Sequence, residues 1–167
     1  MPIGQAFSST PLALDTDVLD AWRYQKQNII REIERYISDH KRPPALTAVT
    51  TFEAIQGFES QANHDSANKV RLQKDRNETE SIIQYCGLLP SGAYPSGILP
   101  FDQNAAMIAA YIAGRLTGRK ILKDIFIAST ALAHGHGVAT RNEQDFKLIA
   151  SHLPPSHPVL RLAIWKP

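Results

Sequence analysis

The chain has 167 residues, 43% of them hydrophobic and 20% charged, the balance of one compact globular domain and not of a disordered chain. Its 18 Lys and Arg against 16 Asp and Glu leave a formal net charge of +2, far too small an excess for an indiscriminate polycationic coat on nucleic acid, although a local basic face remains compatible with it. The single cysteine, Cys86, excludes an internal disulfide and suits a reducing compartment, and no Cys/His ladder exists to hold zinc. No apolar run approaches the ~20 residues of a membrane span. The start, MPIGQAFSSTPLAL, lacks the features of a secretory signal, so the chain reads as cytoplasmic.

Short apolar runs alternate with longer helical periods, the pattern of an α/β domain on a mostly parallel sheet. Pro11-Leu-Ala-Leu-Asp15 is the first predicted strand, followed by a helical stretch from about Val18. A second helix over Asn28 to His40 places Ile29, Ile33, Tyr36 and Ile37 on one face, and Lys41-Arg-Pro-Pro44 ends it. Ala45 to Val49 is the next strand, and Thr50 opens a helix to about Ala62. Residues 63–80 are polar and read as a helical arm, whereas 87–97 (GLLPSGAYPSG) is a Gly/Pro-rich insertion. Ile98 to Phe101 is a third strand, and helix 102–117 carries an apolar stripe of Ala105, Ile108, Ala109, Ile112, Ala113 and Leu116. The helix from Asp124 to His134 is apolar nearly all round and belongs in the interior. Gly137 to Thr140 is a fourth strand, Glu143 to Ala150 a short helix, and Val159 to Trp165 a last strand.

The acids follow a rule of position. Asp15 ends the first strand, Glu53, Asp102 and Asp145 fall just after the second, third and fourth, and Asp124 opens the buried helix. Groups beyond the carboxyl ends of parallel strands share one edge, so these five carboxylates are expected close together in space. Like charges at that density repel, and a hard divalent cation with oxygen ligands, Mg²⁺ or Mn²⁺, resolves the repulsion. Structural readings compete at three positions. Thr50-x-x-Glu53 is a capping box, Asn142-x-x-Asp145 imitates one, and Asp102 is a plausible N-cap. Asp15 precedes the expected cap at Thr16 or Asp17 and so caps nothing, and Asp124 must lose solvent beside a core helix. For these two the functional reading is the stronger.

Taken in order, Leu14-Asp15-Thr16-Asp17-Val18-Leu19, Leu46-Thr-Ala-Val-Thr-Thr-Phe-Glu53, Phe101-Asp102-x-x-Ala105-Ala106, Asp124-Ile-Phe-Ile-Ala-Ser-Thr-Ala131 and Thr140-Arg-Asn-Glu-Gln-Asp145-Phe146 resemble the successive signatures of a PIN domain, most of all those of the VapC-type ribonuclease toxins of toxin–antitoxin pairs. Each motif alone is unspecific; five in the right order are not. The resemblance implies a PIN-like three-layer sandwich, with a mostly parallel central sheet flanked by helices. On this reading residues 1–167 form one domain with its core at about 12–147. It implies an endoribonuclease using Mg²⁺ or Mn²⁺, with Asp15, Glu53, Asp124 and Asp145 as the acidic quartet and Asp15 and Asp124 as direct metal ligands. Thr16, Thr140 and Asn142 would line the pocket. Cleavage would leave a 5′-phosphate and a 3′-hydroxyl, and the implied partners are an RNA substrate, a cognate antitoxin and a second copy of the chain. Asp17 departs from the family, where Asn or Ser is commoner, and adds negative charge near the metal.

Arg115, Arg119, Lys120 and Lys123 fall within nine residues ahead of Asp124 with no acid between them, fit either to steer an RNA backbone or to complement a helix end. Ile29, Ile33, Tyr36 and Ile37 with the helix from Thr50 would make a groove for a partner helix, or simply pack in the core. His134-Gly-His136 reads more readily as a helix terminus than as an acid–base pair. Asp15-x-Asp17 also matches the nucleophile pair of haloacid-dehalogenase-type phosphatases, but Leu19 and the missing later acidic motif count against it. Gly114 to Lys120 has the wrong spacing for a P-loop. Two alternatives stand beside the toxin: a PIN nuclease of RNA processing, and a PIN-like binding module without catalysis.

Overall fold

The computed structural model describes residues 9–64, 67–117 and 120–166. Among these, Leu12–Leu14 (β1), Ala45–Thr47 (β2), Ile98–Leu99 (β3), Gly137–Thr140 (β4) and Leu162–Ile164 (β5) form one sheet in the order β3-β2-β1-β4-β5, with every neighbouring pair parallel. Seven helices surround it: Thr16–Arg23 (α1), Gln27–His40 (α2), Ala48–His64 (α3), Lys69–Gly87 (α4), Gln103–Ala113 (α5), Leu122–Ala133 (α6) and Glu143–Ala150 (α7).

The inner strands are buried throughout, and apolar except for Thr47 and Thr140 at their ends, because both faces of the sheet are covered. Leu12, Leu14, Leu46 and Ala139 point into a core with Val18, Leu19, Ile29, Ile33, Tyr36 and Cys86 of the first four helices. Ala13, Ala45, Leu99 and Val138 face the opposite way, against Ile108, Ile112, Ile125, Ile127, Phe146 and Ile149 of the last three. The expected three-layer α/β sandwich is what the chain forms. Between β1 and β4 the strand order reverses, and a crevice at such a switch point is where open parallel sheets bind ligands.

The differences from expectation are local, and they matter for the site. α1 starts at Thr16 and not at Val18 because Asp15 is its N-cap, accepting the Thr16 backbone N–H at 2.7 Å. The expectation that Asp15 caps nothing is therefore wrong. α3 starts at Ala48, two residues early, because the Thr47 hydroxyl accepts the Thr50 N–H at 3.0 Å. The Thr50–Glu53 capping box does not form; Thr50 Oγ1 instead donates to the Leu14 carbonyl at 3.1 Å, fastening α3 to the end of β1. α5 stops at Ala113, and its C-cap is Gly114. The proposed partner groove is not open either: Ile29, Ile33 and Tyr36 are buried, and Ile37 packs against the same core. Lys41 ends α2 in the left-handed conformation, with Arg42 between it and the prolines.

Gly97 shows why the segment before β3 needs glycine. A Cβ there would fall 1.7 Å from the Cys86 carbonyl oxygen, so only a bare backbone lets β3 lie against the end of α4. Cys86 itself is buried, and loss of solvent pushes its thiol up to about 12. We expect no reaction of the native protein with a thiol reagent at pH 8, and full reaction after denaturation. Rapid modification of the folded chain would contradict that placement.

Candidate active site

Asp15 lies at the switch point. Its backbone N–H donates to Ala139 of β4 at 2.9 Å, so the residue still belongs to the sheet while its side chain turns to the carboxyl edge. Oδ1 accepts from Thr16 N and Oδ2 accepts from the Thr140 hydroxyl at 2.8 Å. Thr140 Oγ1 in turn accepts the Asn142 N–H at 2.9 Å, so its own hydrogen is committed to Asp15. Asp15 is only 5% exposed, yet each oxygen keeps a lone pair. Burial, Asp17 and Asp124 together push its carboxyl up to about 8, against the pull of Thr140 and the Thr16 amide.

Asp124 is the third residue of α6, not its first, in the turn where the helix dipole favours an anion. Burial raises its carboxyl to about 6, reinforced by Asp145, Glu53 and Asp17. Asp17 is likewise raised, chiefly by burial, and its Oδ1 accepts the Arg141 N–H at 3.4 Å. Glu53 reaches the same place from α3. Its Oε2 accepts from the Thr16 hydroxyl, and its Oε1 lies 3.3 Å from Lys123 Nζ. Asp145 is held by Asn142, which caps α7 with Oδ1 and donates Nδ2–H to Asp145 Oδ2 at 2.9 Å. The capping reading of Asn142 and Asp145 is thus correct, and Asp145 nonetheless acts electrostatically on Asp124.

Asp15, Asp17, Glu53, Asp124 and Asp145, from α1, α3, α6 and α7 and the turn after β1, feel one another's charge. Asp102 is not among them. It caps α5 through the Ala105 N–H at 2.9 Å, and its other oxygen is 3.4 Å from His134 Nε2. His134 caps the far end of α6, ten residues and roughly 15 Å from Asp124 along the helix. After two residues of β3 the chain meets the end of α6, with the Pro100 carbonyl 3.0 Å from His134 Nε2. The expectation that Asp102 shares the acidic edge is corrected; Asp17 takes the fifth place. His136 bonds through Nε2 to the buried Ser91 hydroxyl at 2.7 Å, away from the acids.

The basic stretch also divides. Lys123 meets the acids through Glu53. Arg115 lies flat on the Tyr111 ring at 3.4 Å and donates to the Tyr111 carbonyl, Lys120 is exposed, and Arg119 lies outside the described residues. The residue that the sequence reading overlooked is Arg141. Its guanidinium lowers the Asp17 carboxyl from across the β4–α7 turn, and its Nε is buried with no acceptor among the described residues. Its place between Thr140 and Asn142 was the available signal.

Among the described residues, no three His, Cys, Asp or Glu side chains close into a preassembled metal site. The donor chemistry still fits a hard cation: five carboxylates, hydroxyl and amide neighbours, and neither thiolate nor imidazole at this edge. Replacing Thr140 with Val removes the donor to Asp15 and orphans the Asn142 N–H. We expect a loss of about 1–3 kcal/mol of stability and roughly tenfold weaker Mn²⁺ binding, with Ser restoring both. Calorimetry on the three proteins checks this; a Ser variant as impaired as Val would refute it.

No protein-family model and no curated protein matches the chain. Solved structures do. A chain of VapBC2 from Rickettsia felis, bound to a DNA fragment from their promoter, superposes with a TM-score of 0.65 at 14% identity over 93% of this chain and 98% of that one. DNA-bound VapBC from Salmonella typhimurium gives 0.64 at 20% identity over 93% and 98%. FitAcB from Neisseria gonorrhoeae gives 0.58 at 26% identity over 83% and 92%. By its sheet order, its flanking helices and these likenesses, the chain has a PIN-like fold, the fold it shares with chains of VapBC and FitAB complexes.

Proposed function

We propose that the chain is a divalent-metal-dependent endoribonuclease, the toxin of a toxin–antitoxin pair. The observation that carries this is the convergence at one switch point of carboxylates from distant segments, with Asp15 raised to about 8 and Asp124 to about 6 by burial and by neighbouring acids. Such an arrangement is costly for a scaffold and useful for holding a cation. Asp15 and Asp124 would hold Mg²⁺ or Mn²⁺, which when bound acidifies water and offsets charge on the scissile phosphate. Thr140 and the Thr16 amide fix the Asp15 carboxylate, and Asn142 fixes Asp145. Glu53 or Asp145 would orient the attacking water and accept its proton, and in-line attack would leave a 5′-phosphate and a 3′-hydroxyl.

The likeness to toxin–antitoxin complexes supports a cognate antitoxin as partner. RNA as substrate and a second copy of the chain as dimer partner belong to the same proposal. Among the described residues no helix is long and apolar enough to cross a membrane. Titration with Mn²⁺ separates this reading from a non-catalytic PIN-like module: the wild type should bind and Asp124→Asn should lose that binding. A chain that binds no Mn²⁺ would favour the module.

A further inference from the structure

We propose that Lys123 has two stations, Glu53 in the free protein and an RNA phosphate in the complex, so that substrate arrival releases Glu53 to the metal pocket. The inference rests on the nuclease reading above and concerns how that site is held before substrate comes.

Both oxygens of Glu53 are engaged in the structure, Oε2 by the Thr16 hydroxyl and Oε1 by the Lys123 ammonium at 3.3 Å. Glu53 is the pocket acid that meets an ammonium directly, and in that state its charge is turned to Lys123. Lys123 is not placed there by its own helix. It is the second residue of α6, the end at which the helix dipole disfavours a cation. Its side chain is 57% exposed against 17% for Glu53, so the cation is the mobile member and the carboxylate the anchored one. Exposed pairs of this kind are weak, and a flexible ammonium exchanges readily between a carboxylate and a phosphate. Asp124 follows Lys123 directly, so a phosphate delivered to the acids comes within reach of the same side chain. Arg115 is stacked on Tyr111 and Arg141 acts on Asp17 without a close ion pair, so among the described residues Lys123 is the basic side chain paired within 4 Å with one of the five acids.

The test is a double-mutant cycle on the full chain, read as Mn²⁺ affinity by calorimetry without RNA. Lys123→Met should tighten Mn²⁺ binding about two- to fivefold, and the gain should vanish in a Glu53→Gln background. Lys120→Met, which removes the same charge nearby, should change affinity less. Binding of a single-stranded RNA, with EDTA present so that nothing is cut, should weaken in Lys123→Met and its salt slope should fall by about one. Equal gains from Lys120→Met and Lys123→Met, a gain that survives Glu53→Gln, or an unchanged salt slope would each overturn the exchange while leaving the nuclease reading intact. A wild-type chain that takes up no Mn²⁺ would overturn both.

Discussion

Asp15→Asn should reduce RNA cleavage in Mg²⁺ by of the order of 10²–10³-fold, the size of effect seen when one preorganised electrostatic group is removed. The variant isolates charge from structure. Asn caps a helix as well as Asp does, so its single amide oxygen keeps the bond from the Thr16 amide, while its Nδ2 faces Thr140, whose hydroxyl must turn from donor to acceptor. What disappears is a buried titratable carboxyl beside Asp17 and Asp124, which in the metal-free fold must either carry its charge or take up a proton. The metal-free variant should therefore be more stable than the wild type while losing activity, a combination that simple damage to the fold cannot produce. Unchanged cleavage would remove Asp15 from the mechanism; reduced stability at neutral pH would show that its charge is otherwise satisfied.

Stability of the metal-free wild type should fall as pH rises from 5 to 8. Asp15 and Asp124 titrate near 8 and 6 in the fold but near the ordinary 3.8 when unfolded. Between those values the folded chain holds protons that the unfolded chain has released, so raising the pH favours unfolding. With the charge shared among neighbouring acids, the loss relative to Asp15→Asn should be about 1–3 kcal/mol, or roughly 2–10 °C in melting temperature. Glu143, lowered to about 2 by Lys147 and Lys166, stays ionised and contributes equally throughout this window. His136, held down chiefly by burial, gains stability as pH rises. Asp17 and Asp20, raised chiefly by burial, change in the same direction as Asp15. Asp20, Glu143 and His136 are common to wild type and variant, so the difference between the two melting curves reads Asp15 together with the acids coupled to it. Millimolar Mn²⁺ should recover the wild type at pH 8 and leave Asp15→Asn almost unmoved. A wild type that gains stability relative to Asp15→Asn from pH 5 to 8 would contradict the electrostatics described here.

β4 and α7 were legible to the residue because their signals are local: an apolar run, then an Asn cap and a short amphipathic turn. The buried α6 was legible for the same reason. Asp102 was misplaced because the rule that acids after parallel strands share an edge assumes that the chain stays at that edge. β3 is two residues long, and where Pro100 and Asp102 go is decided by packing against His134, which the local sequence does not show. Asp15 is half legible: its charge at a strand end stands out in the sequence, and its cap is hidden because one carboxylate performs both tasks. α4 was the hardest to read, since only Thr79 and Cys86 of its nineteen residues are buried. It is fastened to its neighbours by ion pairs, Arg23 to Asp75 at 3.7 Å and Arg76 to Glu59, which leave almost no periodic apolar stripe.

Whether these gathered acids hydrolyse RNA with a divalent cation is tested most directly by mapping the ends of RNA fragments made by the purified chain in Mg²⁺, beside the Asp15→Asn variant. The ends should be 5′-phosphate and 3′-hydroxyl, should appear only with metal and should disappear in the variant. Fragments ending in cyclic phosphate, or cleavage that continues in EDTA and in Asp15→Asn alike, would contradict it.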